Sequence, residues 1–111
     1  MDSCIFCKIA NNALPAKTIY EDDKIIAFHD LHPKAKVHAL VIPKKHIKNL
    51  FELAETDAAL MGYFTVKLKE IATMLDLEAG FRIVVNNGPH SGQEVDHLHY
   101  HILGGAQLPR F

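Results

Sequence analysis

The sequence predicts an α+β domain in which an antiparallel sheet of about five strands packs against one long helix. Three observations carry that expectation. Short β-branched and aromatic runs are bounded by turn residues, one extended stretch has helical apolar spacing, and no repeated strand-helix alternation of the kind a parallel sheet needs is present.

Taken in order, residues 18–21 and 25–29 are strand candidates on either side of Asp22-Asp23-Lys24, which reads as a hairpin turn. The turn-like Asp30-Leu31-His32-Pro33 follows and brings a carboxylate and a histidine to one rim, and residues 39–42 form a third strand ended near Pro43. From 56 to 75 the pattern changes, because Leu60, Phe64, Leu68, Ile71 and Leu75 recur mainly three or four positions apart. Thr56 is the candidate cap, Asp57 places negative charge by the first-turn N–H groups, and Gly62 costs only about 1 kcal/mol at an exposed position. Met61 and Met74 read as packing residues of that helix. Residues 81–86 favour a fourth strand, 87–92 interrupt it with turn formers, and 95–103 resume an extended pattern.

With 111 residues, the chain reads as a single domain over 1–111. Its 49% hydrophobic and 23% charged composition suits an ordered core. Lys plus Arg number 12 and Asp plus Glu 13, so the formal charge of -1 gives no general drive toward nucleic acid. The start shows no basic segment followed by a long apolar run, which predicts neither secretion nor a membrane anchor, and the expected location is the cytoplasm. Neither G-x-x-x-x-G-K-[ST] nor G-x-G-x-x-G occurs, and Lys44-Lys45 reads as a solvated pair beside a strand.

The chemistry concentrates in the histidines, of which there are eight. Strand alternation puts His97, His99 and His101 on one side and Leu98, Tyr100 and Ile102 on the other, with neighbouring histidines roughly 6.6 Å apart along the strand. His99 can then approach a phosphorus atom as nucleophile while His101 reaches a nonbridging oxygen and His97 orients the site. Turn N–H groups near Gly92-Gln93-Glu94 can stabilise developing phosphoryl charge. Two other readings stand beside this one: three polar histidines facing solvent, or His-x-His as metal ligands, in which case a ligated His99 would lose its nucleophilic lone pair.

The run His97-Leu98-His99-Tyr100-His101-Ile102-Leu103 resembles the histidine triad (HIT) superfamily. Cys4-Ile5-Phe6-Cys7-Lys8-Ile9, Phe28-His29-Asp30, Val41-Ile42-Pro43-Lys44-Lys45-His46 and Leu103-Gly104-Gly105 are similar to its nucleotide-binding (HINT-like) branch, over almost the whole chain except the tail, which ends soon after Gly105. The resemblance implies the HIT fold and a purine nucleoside phosphoramidase, in which His99 attacks the α-phosphorus and water releases the monophosphate from a nucleotidyl-histidine. It implies that His101 contacts phosphate, that His97 organises the triad and that His38 supports the site. It assigns Asp30 to the ribose hydroxyls, and Asn86, Gly92, Gln93 and Val95 to the phosphate side and its surroundings. Ile5, Phe6, Phe28 and Leu31 are base-pocket candidates that each have an ordinary core explanation as well. Glu94 departs from branch members that carry Ser there, and it could serve as an acid only with a raised pKa.

No cofactor is expected for catalysis. Cys4 and Cys7 have metal-ligand spacing, and His46 with His97 would complete a tetrahedral zinc site resembling a structural zinc variant of the family; two packed thiols or a redox pair are the alternatives. A homodimer is expected, with the 56–75 helix and the final strand at the interface. Competing functions are dinucleoside polyphosphate hydrolysis or nucleotidyl transfer through the same His99, and non-catalytic purine nucleotide binding.

Overall fold

A computed structural model describes residues 3–111. Helix α1 (Ile5–Ala10) leads into strands β1 (Thr18–Glu21), β2 (Ile25–His29) and β3 (Val37–Pro43). Helix α2 (Ala58–Met74) and strands β4 (Phe81–Val85) and β5 (Tyr100–Gly104) complete the chain. The sheet has five strands in the order β1-β2-β3-β5-β4, every neighbouring pair antiparallel, as the sequence predicts. No helix among the described residues is long and apolar enough to cross a membrane.

The central strands are apolar on both sides because both faces of the sheet are covered. Phe64, Leu68, Ile71 and Ala72 of α2 pack on Ile25, Ala27, Ala39, Val41 and Ile102. On the opposite face, Phe6, Ile9 and Ala10 of α1 pack on Ile26, Phe28, Leu40 and Ile42. Helix α1 is a single short element, and its cover leaves the part of that face formed by β5 and β4 open. The six-residue helix was not expected, since so short a segment carries little periodic signal. Its start is set by Cys4, whose sulfur accepts the Cys7 N–H at 3.4 Å.

Three expectations are corrected here. Thr56 does not cap α2: it lies inside a 3-10 turn, Glu55–Asp57, and Asp57 ties that turn down by accepting the Ala54 N–H at 2.9 Å and pairing with Lys45 at 2.5 Å. The last strand begins at Tyr100 rather than at 95, because the chain bends through Val95, Asp96 and His97. That strand also lies inside the sheet, between β3 and β4, so its backbone has no free edge to offer a partner; within this chain the free edge on that side belongs to β4.

The β1–β2 hairpin is pinned by Asp22, which accepts the backbone N–H groups of Lys24 at 2.8 Å and Ile25 at 2.9 Å and the Tyr20 hydroxyl at 2.8 Å. The Tyr63 hydroxyl of α2 donates to the same carboxylate. Burial alone would raise this carboxyl, but the four donors hold it down at about 2. Asp22→Ala leaves those donors without their acceptor and is expected to cost about 2–3 kcal/mol, read as a lowered urea midpoint at unchanged m.

Candidate active site

The open face of the sheet carries a cavity of about 830 Å³, within the range of small-molecule sites. Antiparallel pairing assembles it from segments distant in sequence. Register sets Leu40 opposite His101 and Phe28 opposite Leu40, so an apolar wall runs directly into a histidine. Ile5, Phe6 and Ile9 of α1 extend that wall. Asp30, Leu31 and His38 line the cavity beside it, and Asn86, Gly92, Glu94, Val95, His99 and His101 close the polar side.

Backbone groups fix the protonation pattern of this site. A carbonyl only accepts and an amide N–H only donates, so each decides which ring nitrogen facing it carries a proton. His99 Nδ1 lies 2.7 Å from the His97 carbonyl, so Nδ1 carries the hydrogen and Nε2 keeps the lone pair a nucleophile needs. The ring is 6% exposed and packs edge-on against Phe6 at 5.1 Å between centroids. His38 Nδ1 accepts the Lys34 backbone N–H at 2.9 Å, so its proton sits on Nε2, which lies 2.9 Å from His101 Nδ1. His101 Nδ1 therefore accepts, and its Nε2–H is the group left free to donate to a ligand. Burial, reinforced by neighbouring His99 and His38, pushes His101 down to about 4, so it donates as a neutral ring at pH 7. Burial likewise lowers His38, with Asp30 opposing the shift.

His97 does not line the cavity. It is fully buried, and its Nε2 donates to the Pro43 carbonyl at 2.8 Å, which leaves the Nδ1 lone pair turned toward Cys4 Sγ at 3.4 Å and Cys7 Sγ at 3.5 Å. His46 Nδ1 is 3.1 Å from Cys7 Sγ. One ligand atom from each of Cys4, Cys7, His46 and His97 lies within 4.8 Å of all the others, the compactness and donor set a tetrahedral Zn²⁺ requires. Burial and then the neighbouring Cys4 push the Cys7 thiol up to about 11, so a bound cation is what would hold it as thiolate at neutral pH. The Pro43 carbonyl supplies the outer hydrogen bond that metal-binding histidines use to fix their tautomer.

Asp30, His38 and His101 also sit within 4.8 Å of one another, but that group is ill-suited to a cation. The Lys34 amide forces a proton onto His38 Nε2, the very atom that would have to ligate.

Gln93 stands outside the cavity wall. Its carboxamide oxygen accepts Asn49 Nδ2 at 3.1 Å and the Gly88 N–H at 2.9 Å, while its nitrogen donates to the carbonyls of Lys48 at 2.7 Å and Val95 at 2.9 Å. All its hydrogen-bonding capacity is thus spent clamping the 88–95 loop, which presents Gly92, Glu94 and Val95 to the cavity. Gly92 ends the turn Pro89–Ser91 at φ 82°, a left-handed conformation that favours glycine. Glu94 is exposed on the rim. The sequence reading missed Asn49, which is 5% exposed and clamped with Gln93, and the wall residues Ile9 and Leu40. Ile9 follows Ile5 by one helical turn and would have been found had α1 been recognised.

A family model described as HIT domain matches residues 11–108. Protein HitA of Neisseria gonorrhoeae is 46% identical over 104 residues, covering 94% of this chain and 97% of that protein. A histidine triad protein from Clostridium difficile superimposes with a TM-score of 0.94 at 46% identity, covering 100% of this chain and 96% of that one. A HIT family hydrolase from Legionella pneumophila Philadelphia 1 gives 0.93 at 42% identity, with 96% of each chain covered.

The neutral state of His101 has a stability consequence. An unfolded chain protonates this ring near 6.5, whereas the folded one resists until about 4. The unfolded state therefore binds more protons across that window, and stability falls as pH drops from 6.5 toward 4. His101→Gln should lose less stability than the wild type between pH 7 and 4.5, by on the order of 2 kcal/mol after solvent screening. Equal losses in urea titrations of the two proteins would contradict this.

Proposed function

The chain belongs to the HIT domain family, and from that premise we propose that it is a purine nucleoside phosphoramidase, hydrolysing adenosine 5'-monophosphoramidate-type P–N bonds to AMP and an amine. The observation that carries the reading is the His99 ring, whose Nδ1–H is committed to the His97 carbonyl at 2.7 Å so that Nε2 is an available nucleophile beside an apolar-walled cavity.

In this reading the purine lies against Ile5, Phe6, Phe28 and Leu31, Asp30 accepts from the ribose, and the α-phosphate meets His101 Nε2–H, Asn86 and the backbone of the loop that carries Gly92. His99 Nε2 attacks the α-phosphorus, a P–N bond to the ring forms, and the substrate P–N bond breaks as the amine takes up a proton. Water then attacks the same phosphorus, the bond to His99 breaks, and AMP leaves with the ring restored to its neutral form. Zinc held by Cys4, Cys7, His46 and His97 would brace α1 against β3 without entering either step.

The same proposal includes a homodimer. Among the described residues the β4 edge is unpaired, and Val66 and Met74 of α2 and Phe81 of β4 are 60%, 53% and 41% exposed, although the main stripe of α2 is spent on its own sheet. Free cysteines poised as ligands suit a reducing compartment and support a cytoplasmic location.

His99→Ala is expected to retain nucleotide binding while losing turnover by about a thousandfold or more, with no nucleotidyl adduct in quenched intact-mass measurements. An adduct still forming in that variant, or mapping to another residue in the wild type, defeats the assignment. Preference for a dinucleoside polyphosphate over adenosine phosphoramidate in a parallel screen would overturn the substrate class. For the metal, protein prepared with zinc and without chelator is expected to hold about one zinc per chain, and Cys7→Ser to hold none; a metal-free wild type sinks the zinc proposal.

A further inference from the structure

The segment that follows β3 runs beside the loop that follows β4. Three hydrogen bonds cross between them: the Leu50 N–H donates to Asn87 Oδ1 at 2.8 Å, Gln93 Nε2 donates to the Lys48 carbonyl at 2.7 Å, and Asn49 Nδ2 donates to Gln93 Oε1 at 3.1 Å. The same segment is tied to the chain next to His99, because the Ile47 carbonyl accepts the Leu98 N–H at 2.6 Å. Residues 47–50 thus form a strut with the neighbour of His99 at one end and the cavity loop at the other. That loop needs a strut, since between β4 and β5 the chain has no ladder partner and is shaped by the turn Pro89–Ser91 and by these side-chain bonds.

Asn49 does two separable jobs in the strut. Its Oδ1 accepts the Phe51 N–H at 3.0 Å and caps the turn Leu50–Glu52. A backbone amide only donates, so the oxygen end of the carboxamide is committed to that cap and the nitrogen end faces Gln93. Gln93 is oriented by the same rule: the Gly88 N–H requires its Oε1, and the carbonyls of Lys48 and Val95 require its Nε2. Asn49 is buried, which makes water a poor replacement for the lost donor. The residue itself stands outside the cavity wall, whereas the loop it holds places Gly92 and Val95 on that wall.

We propose that Asn49 is a positioning residue for phosphoryl transfer: its Nδ2–H on Gln93 holds the loop that carries Gly92 and Val95 in fixed relation to His99. This rests on the phosphoramidase reading and deepens it, because it names a residue outside the cavity that aligns the phosphate side of the site with the nucleophile. Charge on the phosphoryl oxygens must be met where those oxygens lie in the transition state, so a loop that shifts relative to His99 loses stabilisation there first. Contacts to the base and ribose come from α1, β2 and Asp30 and do not pass through the loop. Loss of the clamp therefore falls mainly on kcat.

The test compares Asn49→Ser, Asn49→Ala and Gln93→Ala on adenosine 5'-phosphoramidate, with urea midpoints measured on the same proteins. Serine keeps a capping oxygen and lacks the donor to Gln93, whereas alanine lacks both. Both Asn49 variants are expected to lower kcat about tenfold and to raise KM no more than about threefold, while the urea midpoint falls clearly only in Asn49→Ala. In a Gln93→Ala background, Asn49→Ser should change kcat by less than about twofold, because the partner through which it acts is gone. A wild-type kcat in Asn49→Ser, a loss that follows the urea midpoint, or a full loss retained in the Gln93→Ala background overturns the proposal. Absence of turnover by the wild type would instead defeat the phosphoramidase reading. Calorimetric affinities for AMP and adenosine would then still decide the role of Asn49: Asn49→Ser is expected to weaken AMP about threefold and leave adenosine unchanged, and equal effects on the two ligands, or none, would refute it.

Discussion

The site depends on hydrogen bonds between histidine rings and backbone groups whose polarity cannot change. The His97 carbonyl can only accept, so His99 must present a lone pair to the cavity; the Lys34 amide can only donate, so His38 must present a proton to His101. Side-chain partners could change which nitrogen of a neutral ring carries the proton, whereas backbone partners fix it. Two neighbouring imidazoles thus take opposite roles, one offering a lone pair on its neutral ring and the other a proton. Burial that lowers His101 favours the same outcome by resisting its protonation.

Topology is what makes those backbone groups available. Because β5 inserts between β3 and β4, His101 pairs across from Leu40 and the chain two residues earlier on β3 supplies His38. The β2–β3 connection then folds Lys34 and Asp30 onto that histidine, while the loop after β4 is drawn in from the other side by Gln93 and Asn49. The apolar half of the cavity is cheap to build, since Phe28 and Leu40 already belong to the core packed beneath α1. Binding a planar base there would extend an existing apolar layer.

Much of this was legible in the sequence where a pattern had length. The helix stripe through Phe64, Leu68 and Ile71 and the alternation that separates His99 and His101 from Tyr100 and Ile102 both reflect periodicities that the structure retains. The family motifs pointed to Asp30, Asn86 and Gly92, and all three line one cavity. What escaped were features without a period. Helix α1 spans only six residues, the bend through Val95–His97 is set by tertiary contacts such as the Leu98 N–H to the Ile47 carbonyl at 2.6 Å, and Gln93 differs from a ligand-contacting residue only by where its four partners lie. Tautomers are equally invisible in sequence, because Lys34 acts through its amide and any residue but proline supplies one.

His97 shows why that bend matters. Its imidazole faces the two cysteines and His46, and its own carbonyl receives the His99 Nδ1–H, so a single residue joins the candidate metal cage to the His99 ring. Had the strand begun at 95, the ring could still have faced α1, but the carbonyl would have been directed into the sheet ladder with the rest of the strand backbone. Leaving the ladder at 97 frees that carbonyl to meet an imidazole two residues on. The cage holds the same residue from its other end, through Nδ1 facing sulfur and Nε2–H on Pro43. An ångström of misplacement of a reacting group can cost a hundredfold in rate, and fixing His97 at three points is a direct way to keep the His99 ring in place at the cavity. The cysteines thereby act on the placement of His99 from outside the cavity.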